Sequence, residues 1–433
     1  MTDYSSLLSK TIISVSERLK EKNREDLIPI FSKCYSNTLE TTFKILDDKT
    51  SFVITGDIHA MWLRDSAAQV HHYLSDAKDN KELADIIESM INRYSIYIRI
   101  DPYANAFNEN GDDKERGHTE DITFRSPWVW ERKYEVDSLC SVIFIAYKFW
   151  KATGRTSIFT GDFRNTLKTI IDLWKKEQYH AENSDYTFER PNPWKPSDTL
   201  TRGGKAEPVG YTGMTWSAFR PSDDACKYNY LIPSEMYAVV VLGYVQEIAK
   251  IIYKDDELYN DASLLANEID TGINEYGIVE TEEFGPIYAY ETDGLGNYNL
   301  MDDANVPSLL SIPYIGYRDK NDPVYKNTRR FILSKNNPYY YEGKYLCGIG
   351  SPHTDVNCVW PISLVMQGLT SDDDEEIEHI IDMLANTHDN TGYMHESINA
   401  DNPKIYTRKW FAWANSIFSE LIIKYAGMEN KEE

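Results

Sequence analysis

The sequence predicts an all-α fold built as one domain over 1–433. The expected form is a toroid of helix pairs, an (α/α) barrel, with long loops building a cleft at one end. Two observations carry this expectation. Apolar residues recur at helical spacing through most of the chain, and the helical segments come in adjacent twos separated by long polar-aromatic loops. At 433 residues the chain exceeds what one compact core usually serves. A closed ring made by repeating a unit accommodates that length. A repeat-built helical solenoid is the alternative architecture.

The chain opens on "MTDYSSLLSKTIISVSERLKEK", which lacks a basic segment followed by an apolar run and reads as an amphipathic helix with Leu8, Ile12, Val15 and Leu19 on one face. Helical patterns follow near 62–76 and 80–98. In 135–153 the stripe is Val136, Leu139, Ile143, Tyr147 and Trp150. In 161–180 it is Phe163, Leu167, Ile170, Ile171 and Trp174. Further segments lie near 232–252, 257–275, 303–314 and 355–369. In 374–389 the stripe is Ile377, Ile380, Ile381 and Leu384, entered through the acidic first turn "SDDDEE". In 408–426 it is Trp410, Trp413, Ile417 and Leu421. No run is expected to reach the length of a membrane span. The loops 101–134, 182–230, 277–302 and 336–354 are too long to be mere connectors, and such loops usually carry function.

Composition narrows the function. A net charge of -24 disfavours a polyanionic partner, so nucleic-acid binding is not expected, whereas a neutral ligand suits this field. The 31 Tyr and 10 Trp supply flat apolar faces with a polar handle. Cys34, Cys140, Cys226, Cys347 and Cys358 are odd in number and scattered, which argues against a disulfide framework or a structural zinc site. The plain expectation is a reduced, cytoplasmic, soluble protein.

No phosphate-binding loop, dinucleotide fingerprint, H-E-x-x-H or nucleophile elbow is present. His71 and His72 are adjacent and diverge on a helix. "HTD" at 353–355 has nothing nearby to complete a metal set. What remains is carboxylates beside aromatics, the composition that glycoside hydrolysis needs. That chemistry takes one protonated carboxyl for the leaving oxygen and one carboxylate for the water or the sugar carbon, with no cofactor.

Four segments carry the combination. "TGDIHAMWLRDSAAQV" holds Asp57, His59, Trp62, Arg64 and Asp65. "FRSPWVWERKYEVDS" holds Arg125, Trp128, Trp130 and Glu131. "YTGMTWSAFRPSDDACKYNYLIPSE" holds Tyr211, Trp216, Arg220, Asp223 and Asp224. "NTGYMHESINADNPKIYTRKWFAWAN" holds His395, Glu396 and Trp410. Singly, each has a bland reading as a cap, turn or surface ion pair. Together, four separated loops repeat one Trp/Arg/acid composition.

"TGDIHAMWLRDSAAQV", "RPSDDACKYNYLIPSE", "GIGSPHTDVNCVWPISL" and "TGYMHESI", in this order, resemble glycoside hydrolase family 125, the metal-independent exo-α-1,6-mannosidases. The resemblance runs from about residue 50 to the final helix. It implies an (α/α)6 barrel that removes non-reducing terminal α-1,6-linked mannose from oligosaccharides or glycans with inversion, using neither metal nor cofactor. It places the general acid on Asp223, with Asp224 as the neighbouring register, and the general base on Glu396. In an inverting enzyme these carboxyls stand about 6.5–9.5 Å apart around a water.

Asp57, His59, Trp62, Arg64 and Asp65 are expected to close the pocket around the terminal mannose. His353, Asp355 and Trp410 are candidates for the same subsite, and Arg125, Trp128, Tyr211 and Trp216 for the pocket or the next one. Host N-glycan mannose, fungal mannan and imported oligosaccharides all stay open as the source. The expected partners are this sugar substrate alone, with a monomeric chain. The competing readings are a carbohydrate-binding protein or another (α/α)6 glycosidase on the same scaffold.

Overall fold

A computed structural model describes residues 5–112 and 117–428. Residues 1–4 of the opening segment and 113–116 of the 101–134 loop lie outside them. The fold is helix-rich, with small two- and three-stranded sheets set between the helices.

The predicted stripes become the buried faces of Ser5–Glu21, Lys81–Ile100, Val136–Thr153, Gly161–Glu177, Asp256–Tyr276 and Asp374–Thr387. Their starts are locally encoded. The side chains of Asn80, Thr160, Asp255 and Asp373 each accept a hydrogen bond from a first-turn backbone N–H. Gly154, in the left-handed region at φ 70°, ends the helix begun at Val136.

These helices form two layers. Leu63–His71 packs against both Val136–Thr153 and Ala412–Tyr425, and Val136–Thr153 in turn against Ile232–Ile248. Pro361–Leu369 packs against Ala412–Tyr425. Outside them, Lys81–Ile100 covers Val136–Thr153, Asp256–Tyr276 covers Ile232–Ile248, Asp374–Thr387 covers Pro361–Leu369, and Ile28–Asn37 covers Ala412–Tyr425. The inner helices follow closely on short strands. Met61–Trp62 leads into Leu63, Tyr230–Leu231 into Ile232, and Cys358–Val359 into Pro361. Val129–Glu131 and Tyr406–Thr407 stand a few residues before Val136 and Ala412. The loops before these helix starts carry the polar candidates.

Several expectations need correction. Ile28–Asn37 is a helix that the periodicity did not bring out. The 62–76 segment breaks into Leu63–His71 and Leu74–Ala77, and 355–369 and 408–426 start late, at Pro361 and Ala412. The 303–314 segment is helical only over Ile312–Ile315. There the Asp302 carboxylate accepts from the Leu309 and Leu310 N–H groups, and Ser308 and Ser311 hydrogen-bond each other, so side chains replace helical carbonyls as partners. Finally, Ile232–Tyr253 is long and apolar enough to cross a membrane by length and composition, contrary to expectation. Its apolarity has a local reason: it is wedged between Val136–Thr153 and Asp256–Tyr276 and buries the Glu235 carboxyl.

Candidate active site

Arg64, in the first turn of Leu63–His71, is the buried hub of a carboxylate cluster. Its Nη1 donates to Glu135 Oε2 at 2.6 Å and to Asp137 Oδ2 at 3.0 Å. Its Nη2 lies 3.4 Å from Asp65 Oδ2 and 3.6 Å from Asp223 Oδ1. One guanidinium therefore faces four carboxyl groups where little water reaches. That many like charges cannot all be held in a poorly solvated space, so protons stay in the cluster. Burial raises Asp65 to about 6; Arg64 and Arg408 oppose this and Asp223 adds to it. Burial also pushes Glu135 well above the usual carboxyl range in spite of Arg64, with Asp223 and Asp137 contributing. The Asn105 Nδ2 amide lies within hydrogen-bond distance of Glu131 Oε2 at 3.2 Å, Glu135 Oε1 at 3.3 Å and Asp223 Oδ1 at 3.2 Å.

Asp223 and Asp224 occupy one turn and face different surroundings. Arg220 N donates to Asp224 O at 2.8 Å, Asp223 N to Arg220 O at 2.9 Å, and Lys133 Nζ to Asp223 O at 2.7 Å. These bonds hold Asp223 at φ 63°, a left-handed conformation that aspartate tolerates better than most residues. Backbone strain of this kind persists where the surrounding structure fixes it, often at functional sites. The Asp223 side chain is 24% exposed and that of Asp224 only 1%.

Asp224 Oδ1 accepts from Ser197 Oγ at 2.9 Å and lies 3.5 Å from His353 Nδ1. Burial pushes Asp224 up, but His353, Arg220 and Ser197 outweigh it and hold the carboxylate at about 2. For His353 burial works downward and is overcome by Asp224, Glu396 and Asp223, which raise it above its ordinary value. Asp224 and His353 thus favour each other's charged forms.

Glu396 enters just before the Ser397–Asn399 strand, with its N–H donating to Thr407 O at 3.3 Å. Arg408 Nη1 stands 3.6 Å from Glu396 Oε1, while Nη2 donates to Thr55 O at 2.8 Å and to Asp57 Oδ1. His353 feels the charge of both Asp223 and Glu396, and Asp65 that of both Asp223 and Arg408. The groups therefore lie within range of one another's charge, with Asp65 and Glu135 held above their usual range around Arg64 and with Glu396 beside Arg408. Such an arrangement can donate a proton to a leaving oxygen and accept one from a water. Among the described residues, no group of three or more His, Cys, Asp or Glu is arranged to hold a metal ion.

Residues 24–423 match the metal-independent alpha-mannosidase family, glycoside hydrolase family 125. The chain belongs to that family. The match begins upstream of the motifs that suggested it. The chain is 40% identical to the meiotically up-regulated gene 157 protein of Schizosaccharomyces pombe, over 98% of this chain and 86% of that one. It is 46% identical to a metal-independent alpha-mannosidase of Streptococcus pneumoniae solved as a non-productive complex with α-1,6-mannobiose, with a TM-score of 0.95 over 98% of this chain and 99% of that one. A bacterial glucoamylase solved with acarbose shares only the fold, at 12% identity and a TM-score of 0.52 over 86% of this chain and 49% of its own.

Within this family 125 chain the sequence-derived candidates separate. Arg64, Asp65, Asp223, Glu396 and His353 come together as described. Asp57 is exposed at the rim and joins them through Arg408. Trp62 is buried with Ala60, Ala106, Ile58 and Trp130 in a small apolar cluster outside the main core, and its indole N–H has no partner among the described residues. His59 lies at the surface, 3.8 Å from Glu109 Oε2. Asp355 is exposed, with Lys195 in the range of its charge. Trp410 lines a separate open groove.

The remaining four do not face the cluster through the contacts they make. Trp216 is fully buried and stacked on His180 at 3.6 Å, so it has no surface to offer a sugar. Tyr211 is exposed and stacked on Tyr179 at 4.8 Å. Trp128 packs against the core and under Arg93 at 5.4 Å. Arg125 Nη1 donates to Trp130 O at 2.8 Å. Of the loop aromatics expected to face a ligand, Trp216 is the one the fold fully consumes in packing.

Sequence reasoning missed Asn105, Lys133, Glu135, Asp137 and Arg408. Glu135 and Asp137 sit in "WERKYEVDS" and Arg408 in "YTRKW". A charge placed just before or within the first turn of an apolar helix was the available signal, and Arg64 and Asp65 had already shown it.

Proposed function

We propose that this alpha-mannosidase is an inverting, exo-acting α-1,6-mannosidase, a single catalytic domain on an (α/α)6 barrel. The observation that carries the linkage is the 46%-identical S. pneumoniae protein, whose structure holds α-1,6-mannobiose and matches this chain nearly end to end. Support for the barrel comes from the two helix layers, with inner helices following short strands and outer helices covering them.

In this reading Asp223 gives its proton to the glycosidic oxygen as the bond from that oxygen to the sugar carbon breaks. A water held by Glu396 gives up a proton to that carboxylate, and its oxygen bonds to the same carbon from the opposite face. Bulk water then restores the proton to Asp223 and removes the one on Glu396. Asp223 is favoured over Asp224 because the latter is buried 3.5 Å from His353 and held at about 2, a poor proton donor at neutral pH. Glu135, pushed well above the usual carboxyl range by burial, shares the Asn105 amide and Arg64 with Asp223. Arg408 stands 3.6 Å from Glu396 and orients it, and Arg64, Asp65 and Trp62 shape the subsite for the terminal mannose. Cytoplasmic residence, a monomeric state and a short mannoside substrate complete the proposal.

The direct test is a panel of mannobioses. Free mannose should appear from the α-1,6 isomer and at most slowly from the α-1,2 and α-1,3 isomers. Faster release from either of those would overturn the linkage assignment.

A further inference from the structure

A second concave feature lies apart from the carboxylate cluster. It is an open groove of about 670 Å³ walled by Tyr393, Tyr406 and Trp410 and edged by Lys33, Lys409, Asp389 and Asn390. That volume falls in the range of organic ligand sites. Its walls are held in place. Tyr406 stacks on the buried His395 ring at 3.7 Å and donates to Asp389 Oδ2 at 3.4 Å. Tyr393 and Trp410 lie 6.3 Å apart, inclined at 44°. Lys33 Nζ donates to Thr391 O at 2.7 Å and sits 4.6 Å over the Tyr393 ring.

The groove adjoins the reacting groups. His395 and Glu396 are consecutive, and Trp410 follows Arg408 by two residues. A Cβ added at Gly56 would lie 2.8 Å from Arg408 Nη2 and 3.8 Å from the Trp410 ring. Arg408, 3.6 Å from Glu396 Oε1, therefore also lies near the Trp410 side of the groove.

We propose that this groove is a distal glycan subsite, which holds the part of a mannose oligosaccharide that extends beyond the residue being removed. The inference rests on the exo-mannosidase reading and adds its substrate class: chains longer than a disaccharide. Tilted aromatic faces beside Asp389, Asn390 and Thr391 suit a ring that is apolar on its C–H face and hydroxylated at its edge. Openness suits a continuing chain, as a terminal residue needs an enclosed pocket. Lys33 and Lys409 also line the groove, but Lys33 is engaged by Thr391 O and Asp389 in the wall disfavours a phosphate.

The test compares α-1,6-mannotetraose with α-1,6-mannobiose. Glycine tolerates the left-handed backbone at Asp389 and Asn390, φ 46° and 57°, so the double variant Asp389→Gly/Asn390→Gly removes both polar groups without backbone strain. Wild type should show kcat/KM about tenfold higher for the tetraose, in line with the gain from a few added contacts. The double variant should lose that preference through KM and keep wild-type mannobiose turnover. Trp410→Ala should lose it too. Tetraose turnover equal to wild type in both variants would overturn the proposal. Calorimetry with the tetraose in an Asp223→Asn background separates the two readings. If wild type cleaves neither sugar, the activity assignment fails. Tetraose binding that the glycine variant abolishes still supports the groove, and unchanged or absent binding refutes it.

Discussion

The Arg64 guanidinium lies 3.6 Å from the Asp223 carboxyl and shares its second face with Glu135 and Asp137. The cation is thus the electrical centre of the site and not a solvated side chain at a helix start. Replacing it by methionine would leave buried carboxyls without their counter-charge. Breaking such a pair typically costs about 3–5 kcal/mol. Arg64→Met should unfold at markedly lower denaturant concentration and lose turnover. Wild-type stability would show that the cluster is solvated and the hub unimportant.

Glu135 and Asp223 share two partners, Arg64 and the Asn105 amide, and burial holds the Glu135 carboxyl well above its usual range. Glu135→Ala leaves Arg64 and Asn105 without one of the groups that hold them beside Asp223. It should lower kcat by on the order of tenfold to a hundredfold, the scale of a small misplacement of a reacting group, with the fold intact. Wild-type kcat would separate Glu135 from the acid.

Asp224 supplies a pH signature in stability. Its folded value of about 2 is below the ordinary 3.8, so ionisation favours the folded state. That contribution is complete above about pH 4 and disappears as pH falls through about 2. Wild type and Asp224→Asn should therefore differ in unfolding free energy at pH 6 and converge on acidification through this window. A gap that is constant down to pH 2 would mean that Asp224 is not held ionised by His353.

Gly56 is glycine for two separable reasons. Its φ is 62°, and an added Cβ would crowd Arg408 Nη2 at 2.8 Å. A left-handed alanine costs about 1–2 kcal/mol. Asparagine tolerates that backbone but still crowds Arg408, so Gly56→Asn should keep most stability yet lose kcat as Arg408 leaves Glu396. Full activity in Gly56→Asn would detach Arg408 from the base.

The helices and the polar composition of their entry loops were legible because apolar periodicity and capping residues act locally. Asp373 and the acidic turn after it are an example: the cap is read directly from "SDDDEE". What stayed hidden depends on partners distant in sequence. Trp216 reads as a sugar platform until His180 is found stacked on it. The 303–314 stripe reads as a helix until Asp302 is found to take the N–H groups of Leu309 and Leu310. Asp223 and Asp224 are indistinguishable as letters. A left-handed turn and His353, far along the chain, give them opposite surroundings.

The measurement closest to the central claim is the anomeric form of the first product, followed by proton NMR during hydrolysis of α-1,6-mannobiose. With Asp223 as acid and Glu396 as base, β-mannose should form first and convert slowly to the α form. Asp223→Asn and Glu396→Gln should each fold normally and lose turnover by on the order of 10²–10⁴-fold. Initial release of α-mannose, or an Asp223→Asn enzyme with near-wild-type turnover, would contradict the assignment.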